Sequence, residues 1–481
     1  MFIVSLINIL SALIAIVGTT FLIPIVVALV YGETKVLSAF IVPMLCSWIF
    51  FILSRLILKK RKFVVSIRTT FVVVASSWFL TSLFGMLPLY LSGCIPDFTD
   101  AFFESVSGFT TTGCTILSEI ESLPRSINLW RCQTHWLGGM GIVALTVALL
   151  PLLGVGGFQL IKAETTGPEK GKITPKITTT AKLLWIIYLV FTVLEAVLLR
   201  IFGMDTVDAI SHAFSTLGTG GFSSMNNSIG GYNSASIDVI CTVFMFFAGV
   251  NFSLYYYAVT GRYSEIKDNS ELKAYVSVFV VSALGIALFT MSQYGSIFKA
   301  LRYSSFQTAA IITTTGFATF DYTKWPAAAQ FFIFVLCFIG GCSGSTGGGI
   351  KVVRWVILGK QFNNEVKKLL HPHGVFSLQL NKQPANKSIV FSVVAFLFLY
   401  LMLVIVTTFV GCIGNLDLFT SFTTALSMVG NVGPAFGKLD PTCNYGWLPA
   451  FVKWWYTFAM IAGRLELYTF VIFFMPAYWK K

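Results

Sequence analysis

The chain has 481 residues, of which 56% are hydrophobic and only 11% charged, against about 25% charged in an ordinary soluble domain. That composition excludes a soluble globular fold and places the chain in a membrane. Its net charge of +13 (33 basic less 20 acidic residues) is a matter of membrane topology and not of nucleic-acid binding.

Two uncharged runs, 5–31 and 36–54, open the chain, and each is close to or beyond the roughly 20 residues a helix needs to cross the hydrocarbon core. The first has no basic leader and no small-residue cleavage site, so it reads as a retained helix. Beyond them the apolar runs come in pairs. The run 69–96 leads to DAFFESVSGFTTTGCT (100–115), too short to span, and then to 136–161. The run 183–202, with Glu195 inside it, leads to DAISHAFSTLGTGGFS (208–223) and then to 239–261. The run 274–298 leads to YSSFQTAAIITTTGFA (303–318) and 325–350, and 388–416 leads to TSFTTALSMVGNVGPA (420–435) and 454–479, which carries Arg464 and Glu466. The pattern predicts an all-α integral membrane protein with ten transmembrane helices. Two N-terminal helices (1–62) precede four helix–pore loop–helix units, at 63–160, 161–262, 263–362 and 363–481. A membrane barrel would instead show short alternating segments.

The four short stretches align on Gly113, Gly221, Gly316 and Gly433. Twelve residues earlier stand Ala101, Ala209, Ser304 and Ser421; eight earlier, Ser105, Ala213, Thr308 and Ala425; six earlier, Ser107, Ser215, Ala310 and Ser427. All are small. Each stretch is expected to be a half-length helix packed closely through those residues, ending at the Thr/Gly segment. Non-helical backbone at membrane depth is tolerated only where it is buried in protein or lines water, so four such loops imply a central aqueous pathway. Each unit has two full spans, so all four share one orientation, which excludes a simple inverted-repeat transporter.

Carbonyls ringed around an axis replace the hydration shell of a monovalent cation, and half-helix C-termini add partial negative charge there. No carboxylate stands among the last four residues of any loop, which disfavours a divalent ion. The expected ion-binding residues are Thr111, Thr112 and Gly113; Thr219, Gly220 and Gly221; Thr314, Thr315 and Gly316; and Asn431, Val432 and Gly433. The carbonyls are expected to matter more than the hydroxyls. At the inner end of the third unit GGCSGSTGGGIK (340–351) breaks the helix, and Gly344, Gly347, Gly348 and Gly349 read as a mobile loop below the filter. Arg464, a charge inside a span, is a functional candidate by default, and Glu466 two residues on shares no helix face with it. Glu195 reads as a packing or pairing residue.

Other chemistries fare worse. Gly341–Gly344 spells GxSG, as an intramembrane serine protease would, but His135 lies near the opposite membrane face. No nucleotide-binding motif and no metal-ligand spacing is present, and nothing requires a bridge between Cys94 and Cys443. With a cytoplasmic N-terminus, the inner segments 55–68, 159–182, 261–273, 351–387 and 480–481 hold 6, 5, 3, 7 and 2 Lys/Arg, or 23 of 33. That bias predicts cytoplasmic N- and C-termini.

The loops TTTGCT, GTGGFS, TTTGFA and GNVGPA, with the terminal AGRLELYTF, resemble the Trk/Ktr/HKT superfamily of potassium transporters, in its bacterial TrkH/TrkG-type membrane subunits. The resemblance covers essentially the whole chain. It implies K⁺ as the transported ion, with no bound organic cofactor, and uptake across the bacterial inner membrane. It implies a four-strand filter with glycine in every strand, an intramembrane gating loop at 340–351, and Arg464 projecting into the pathway below the filter. It also implies a homodimer and a cytoplasmic nucleotide-binding regulatory subunit, for which the basic loops 159–182 and 351–387 are plausible docking surfaces. The fourth loop, with Asn431 and Pro434, departs most from TTTG. The alternative within the same fold is a sodium-selective or sodium-coupled transporter.

Overall fold

A computed structural model describes residues 2–58, 67–141, 177–384, 388–465, 467 and 476. At the N-terminus α1 (Phe2–Thr20) and α2 (Leu22–Val30) run on as one span and turn back into α3 (Thr34–Leu58). Small residues let this pair approach closely: Gly18 lies against Ser47, and Ser54 Oγ donates to Ser11 Oγ (2.8 Å).

Next come α4 (Ile67–Gly85), α5 (Leu87–Leu91), the short α6 (Phe98–Phe109) and α7 (Arg125–Gly139). A long α8 (Ile177–Ile201) precedes the short α9 (Thr206–Gly218), then α10 (Ala235–Ala248), α11 (Phe252–Val259) and α12 (Tyr263–Lys267). The long α13 (Ser270–Tyr294) precedes α14 (Ile297–Ile312), α15 (Ala327–Leu336) and α16 (Val352–Leu370), after which β1 (Gln379–Leu380) and β2 (Gln383–Pro384) make a small antiparallel hairpin. The long α17 (Ser388–Ile413), the short α18 (Leu418–Gly430) and α19 (Ala450–Arg464) complete the order.

Among the described residues six helices are long and apolar enough to cross a membrane, seven if α10 and α11 count as one. These two form the expected span 239–261, but the axis bends by 92° between them. Gly249 sits at the bend, and Asn251 caps α11 by accepting from Ser253 N (2.9 Å). The expected span 325–350 is likewise helical only to Leu336, four residues before the Gly-rich segment begins. The spans expected at 136–161 and 454–479 begin as α7 and α19, and much of each lies outside the described residues.

The long helices α3, α8, α13 and α17 turn large apolar side chains outward, such as Ile57, Val190, Val281 and Phe409. The short helices α6, α9, α14 and α18 are interior. Their aligned small residues, from Ala101, Ala209, Ser304 and Ser421 through Ser107, Ser215, Ala310 and Ser427, are all buried. A lipid-facing outer layer therefore surrounds four short helices whose C-terminal ends lead into the loops.

Candidate ion pathway

Local chemistry starts three of the short helices and stops all four. Asp97, Asp205 and Asp417 cap α6, α9 and α18, accepting from Asp100 N (3.0 Å), Val207 N (3.4 Å) and Thr420 N (2.9 Å). At the far end the residue two before each aligned glycine is left-handed, with φ of 55° at Thr111, 53° at Thr219, 58° at Thr314 and 54° at Asn431. The glycines are also positive, at 83° for Gly113 and Gly221, 76° for Gly316 and 100° for Gly433. Threonine holds such a conformation only where its surroundings over-determine it. Here the amide one residue before each glycine donates back to its short helix: Thr112 N to Ser107 O (2.9 Å), Gly220 N to Ser215 O (2.9 Å), Thr315 N to Ala310 O (2.8 Å) and Val432 N to Ser427 O (2.9 Å).

The four loops touch in cyclic order. A Cβ added to Gly113 would overlap the carbonyl oxygen of Gly220, one on Gly221 that of Thr315, one on Gly316 that of Val432, and one on Gly433 that of Thr112. The contacts close on themselves, so the four extended segments stand side by side in a ring. The ring opens into a funnel lined by the four glycines together with Asp440 and Tyr445.

Three residues in each of four loops make twelve carbonyls. Among the described residues only that of Gly433 accepts a hydrogen bond from protein; the other eleven accept none. Leaving a buried carbonyl unpaired costs about 1–3 kcal/mol unless water or an ion takes it. Donors folded backward and acceptors left over are what a dehydrated cation requires. Among the described residues no group of three or more His, Cys, Asp or Glu could hold a metal ion.

Behind the ring lies a polar scaffold that sequence reasoning does not find. Glu104 and Arg131 form an ion pair at 2.7 Å with side chains 0% and 1% exposed. Such a pair is tolerable only when fully hydrogen-bonded. Glu104 accepts from Thr115 Oγ1 and Ile116 N (both 2.9 Å), and Arg131 donates to Asn128 Oδ1 (2.7 Å) and lies 4.4 Å over the Phe222 ring. The pair thus braces the exits of the first two loops. His135 Nε2 accepts from Phe222 N (3.1 Å), which makes Nδ1 the protonated nitrogen donating to Gly108 O (2.7 Å). Asn431 Nδ2 donates to Thr112 Oγ1 (3.0 Å), joining the fourth loop to the first. The one local signal is a carboxylate, Glu104, inside the apolar part of the first short stretch; its partner is 27 residues away.

The Gly-rich segment lies against this ring. Gly348 N donates to Thr314 Oγ1 (2.6 Å), and a Cβ on Gly347 would fall 2.8 Å from Thr313 O. Lower down the segment threads the α10–α11 bend, with Cys342 N donating to Gly249 O (2.8 Å) and Phe252 N to Gly344 O (3.0 Å). One carboxylate oxygen holds it near both ends: Ser343 N (2.6 Å), inside the segment, and Val353 N (3.0 Å), in the first turn of α16, donate to Glu271 Oε1. Lys351 Nζ donates to Gly347 O. Arg464, at the end of α19, donates to Thr346 O (3.0 Å) and to Gly138 O (2.9 Å) and Gly139 O (3.2 Å) at the end of α7. The structure therefore brings Gly347, Gly348 and Gly349 against the ring, while Arg464 reaches the Gly-rich segment and the end of α7. Gly344 sits apart, packed on Asn251, and Gly349 turns the chain with φ 68°. Glu466 lies outside the described residues. Both nitrogens of His135 are committed to backbone groups, which leaves Ser343 without that base.

Comparison with known proteins follows this geometry. The family described as TrkH, cation transport protein, matches residues 41–481. The Trk system potassium uptake protein TrkH of Halomonas elongata is 40% identical over 420 residues, 86% of each chain. The Vibrio parahaemolyticus protein of the same name is 36% identical over 489 residues, 99% of each chain. The crystal structure of the potassium transporter TrkH from Vibrio parahaemolyticus superposes with a TM-score of 0.86 at 33% identity, over 100% of both chains.

Proposed function

This chain belongs to the TrkH family of cation transport proteins, and on that premise we propose that it takes up potassium ions across the cytoplasmic membrane of a bacterium. It is a membrane transport protein and not an enzyme. One observation carries the reading of its site: eleven buried or half-buried carbonyls in a closed ring of four loops without protein donors. A dehydrated K⁺ moving through the ring would meet three successive levels, the first set by Gly113, Gly221 and Gly316, the next by Thr112, Gly220, Thr315 and Val432, and the last by Thr111, Thr219, Thr314 and Asn431, while the Gly433 carbonyl is already taken by protein donors. Four helix C-termini aimed at it, each equivalent to about half a negative charge, offset lost hydration. Glycine in every loop supports potassium over sodium.

Below the ring the segment 340–351 acts as a gate. Arg464 latches it through Thr346 to α7, and Glu271 pins its base. Opening breaks the latch while the base holds. The four helix–loop–helix quarters are read as repeats with the limits given above, the termini as cytoplasmic, and the protein as a homodimer gated through a cytoplasmic nucleotide-binding subunit. The test is growth and K⁺ uptake in a bacterial strain lacking its own potassium uptake, with Na⁺ and Rb⁺ as competitors. Rescue with K⁺ and Rb⁺ competing better than Na⁺ is expected. Failure of well-expressed protein to rescue, or saturable Na⁺ uptake indifferent to K⁺, sinks the proposal.

A further inference from the structure

We infer that the fourth loop withholds its glycine carbonyl from the pathway, so that the outermost ring is three-sided; the inference rests on reading these loops as an ion filter. Gly433 O accepts three side-chain hydrogen bonds, from Ser427 Oγ (2.7 Å), Tyr445 Oη (3.0 Å) and Cys114 Sγ (3.1 Å). Among the described residues the carbonyls of Gly113, Gly221 and Gly316 accept none. Residue type does not explain the difference. Ser107 and Ser215 hold the same register as Ser427, six residues before their glycines, yet neither hydroxyl finds a partner among the described residues. In those loops the glycine carbonyl faces elsewhere.

Pro434 removes one constraint on this peptide plane, a constraint that among the described residues only the second loop shows. A trans peptide points its C=O and N–H in opposite directions. After Gly221, the N–H of Phe222 is held from behind by His135 Nε2 (3.1 Å), which commits the Gly221 carbonyl to the pathway side. After Gly433 stands a proline with no N–H, so no donor can hold that peptide plane from behind. The carbonyl is instead taken up by three converging protein donors. Tyr445 and Ser427 are therefore positioning residues for selectivity. Cys114 belongs to the first loop, so the same capture ties the fourth loop to its neighbour. An ion at the glycine level is held by Gly113, Gly221 and Gly316 and stands displaced from the fourth loop, with water on that side. Tight coordination of dehydrated K⁺ falls to the deeper levels.

Anomalous scattering from crystals of the full chain in Rb⁺ or Tl⁺ tests this directly. The outermost ion is expected off the axis, within coordination distance of Gly113 O, Gly221 O and Gly316 O and beyond it from Gly433 O. An outer ion centred among four carbonyls overturns the inference while leaving the filter intact. Absence of ions from all four loops, with ions resolved elsewhere, overturns the filter reading itself and the inference with it. A functional arm uses Tyr445→Phe and the double variant Ser427→Ala/Tyr445→Phe, with monodispersity after purification as the folding control. Freed from its donors, the carbonyl can turn to the ion, and the KM for K⁺ uptake is expected to fall about fivefold, the factor that roughly 1 kcal/mol makes. Inhibition by Na⁺ should weaken in parallel. Folded variants with wild-type KM and wild-type Na⁺ inhibition count against the proposal, because a merely structural role would lower flux without moving either.

Discussion

Side chain by side chain, the loops divide labour that their shared backbone conceals. Gly113 has φ 83°, and any Cβ there would meet Gly220 O. Substitution costs about 1–3 kcal/mol in backbone strain and also pushes the second loop away. Gly113→Ser is therefore expected to lose most K⁺ preference over Na⁺, read as competition in uptake; unchanged competition would remove Gly113 from the filter. The hydroxyls carry more than the sequence suggests. Thr112 Oγ1 pairs with Thr110 Oγ1 (2.8 Å) and receives Asn431 Nδ2 (3.0 Å), whereas Thr111 Oγ1 has no partner among the described residues. Thr112→Val, mild if carbonyls alone matter, should cost about as much as a lost buried hydrogen bond, roughly 1–3 kcal/mol, and lower K⁺ uptake severalfold. Thr111→Val should be nearly silent in the same assay, and the reverse ranking would contradict this assignment.

Among the elements, the position of the Gly-rich segment depends on which helices break. Two of the expected straight spans do so, α10–α11 at Gly249 and the third unit after Leu336, and the breaks meet through Cys342 N and Gly249 O (2.8 Å). A hydrophobicity count registers the apolar residues of both runs but not the bend, because the bend serves a contact nearly a hundred residues away. Arg464 joins the end of α19 to the end of α7 and to the Gly-rich segment through three carbonyls. Its charge complements the helix C-terminal dipole of α7, and its removal releases Thr346. Arg464→Ala is expected to raise K⁺ flux about tenfold, as roughly 1.4 kcal/mol of lost latch would. Glu271→Ala, which frees Ser343 N and Val353 N, should raise flux too, and by less where Arg464 still holds. Lower flux in both well-expressed variants would show the gate to be a scaffold and not a barrier.

On the scale of the whole molecule, the protein is a lipid-facing shell of long helices around four buried half-helices. The expected orientation has a direct test. Cys443 is exposed on the funnel side, and Cys342 is buried within the Gly-rich segment. Partial burial, with Asp440 beside it, pushes the Cys443 thiol above its ordinary pKa, so thiolate and labelling rate should rise with pH. A membrane-impermeant maleimide should mark Cys443 on intact cells and spare Cys342; labelling only after permeabilisation would invert the topology. Much of this was legible in residue order. Apolar runs, the bias of Lys and Arg, and a glycine recurring behind small residues depend on local composition and spacing, which the chain carries without folding. Those features determined a helical membrane protein with four re-entrant loops and named the residues at their tips. Only the tertiary structure decided that the loops close in cyclic order, that Glu104 meets Arg131 behind them, that the amides of Ser343 and Val353 share one carboxylate oxygen, and that Gly433 O is taken by three protein donors. Each of these is a contact between distant parts of the chain or a choice of peptide orientation, and neither leaves a periodic trace in sequence.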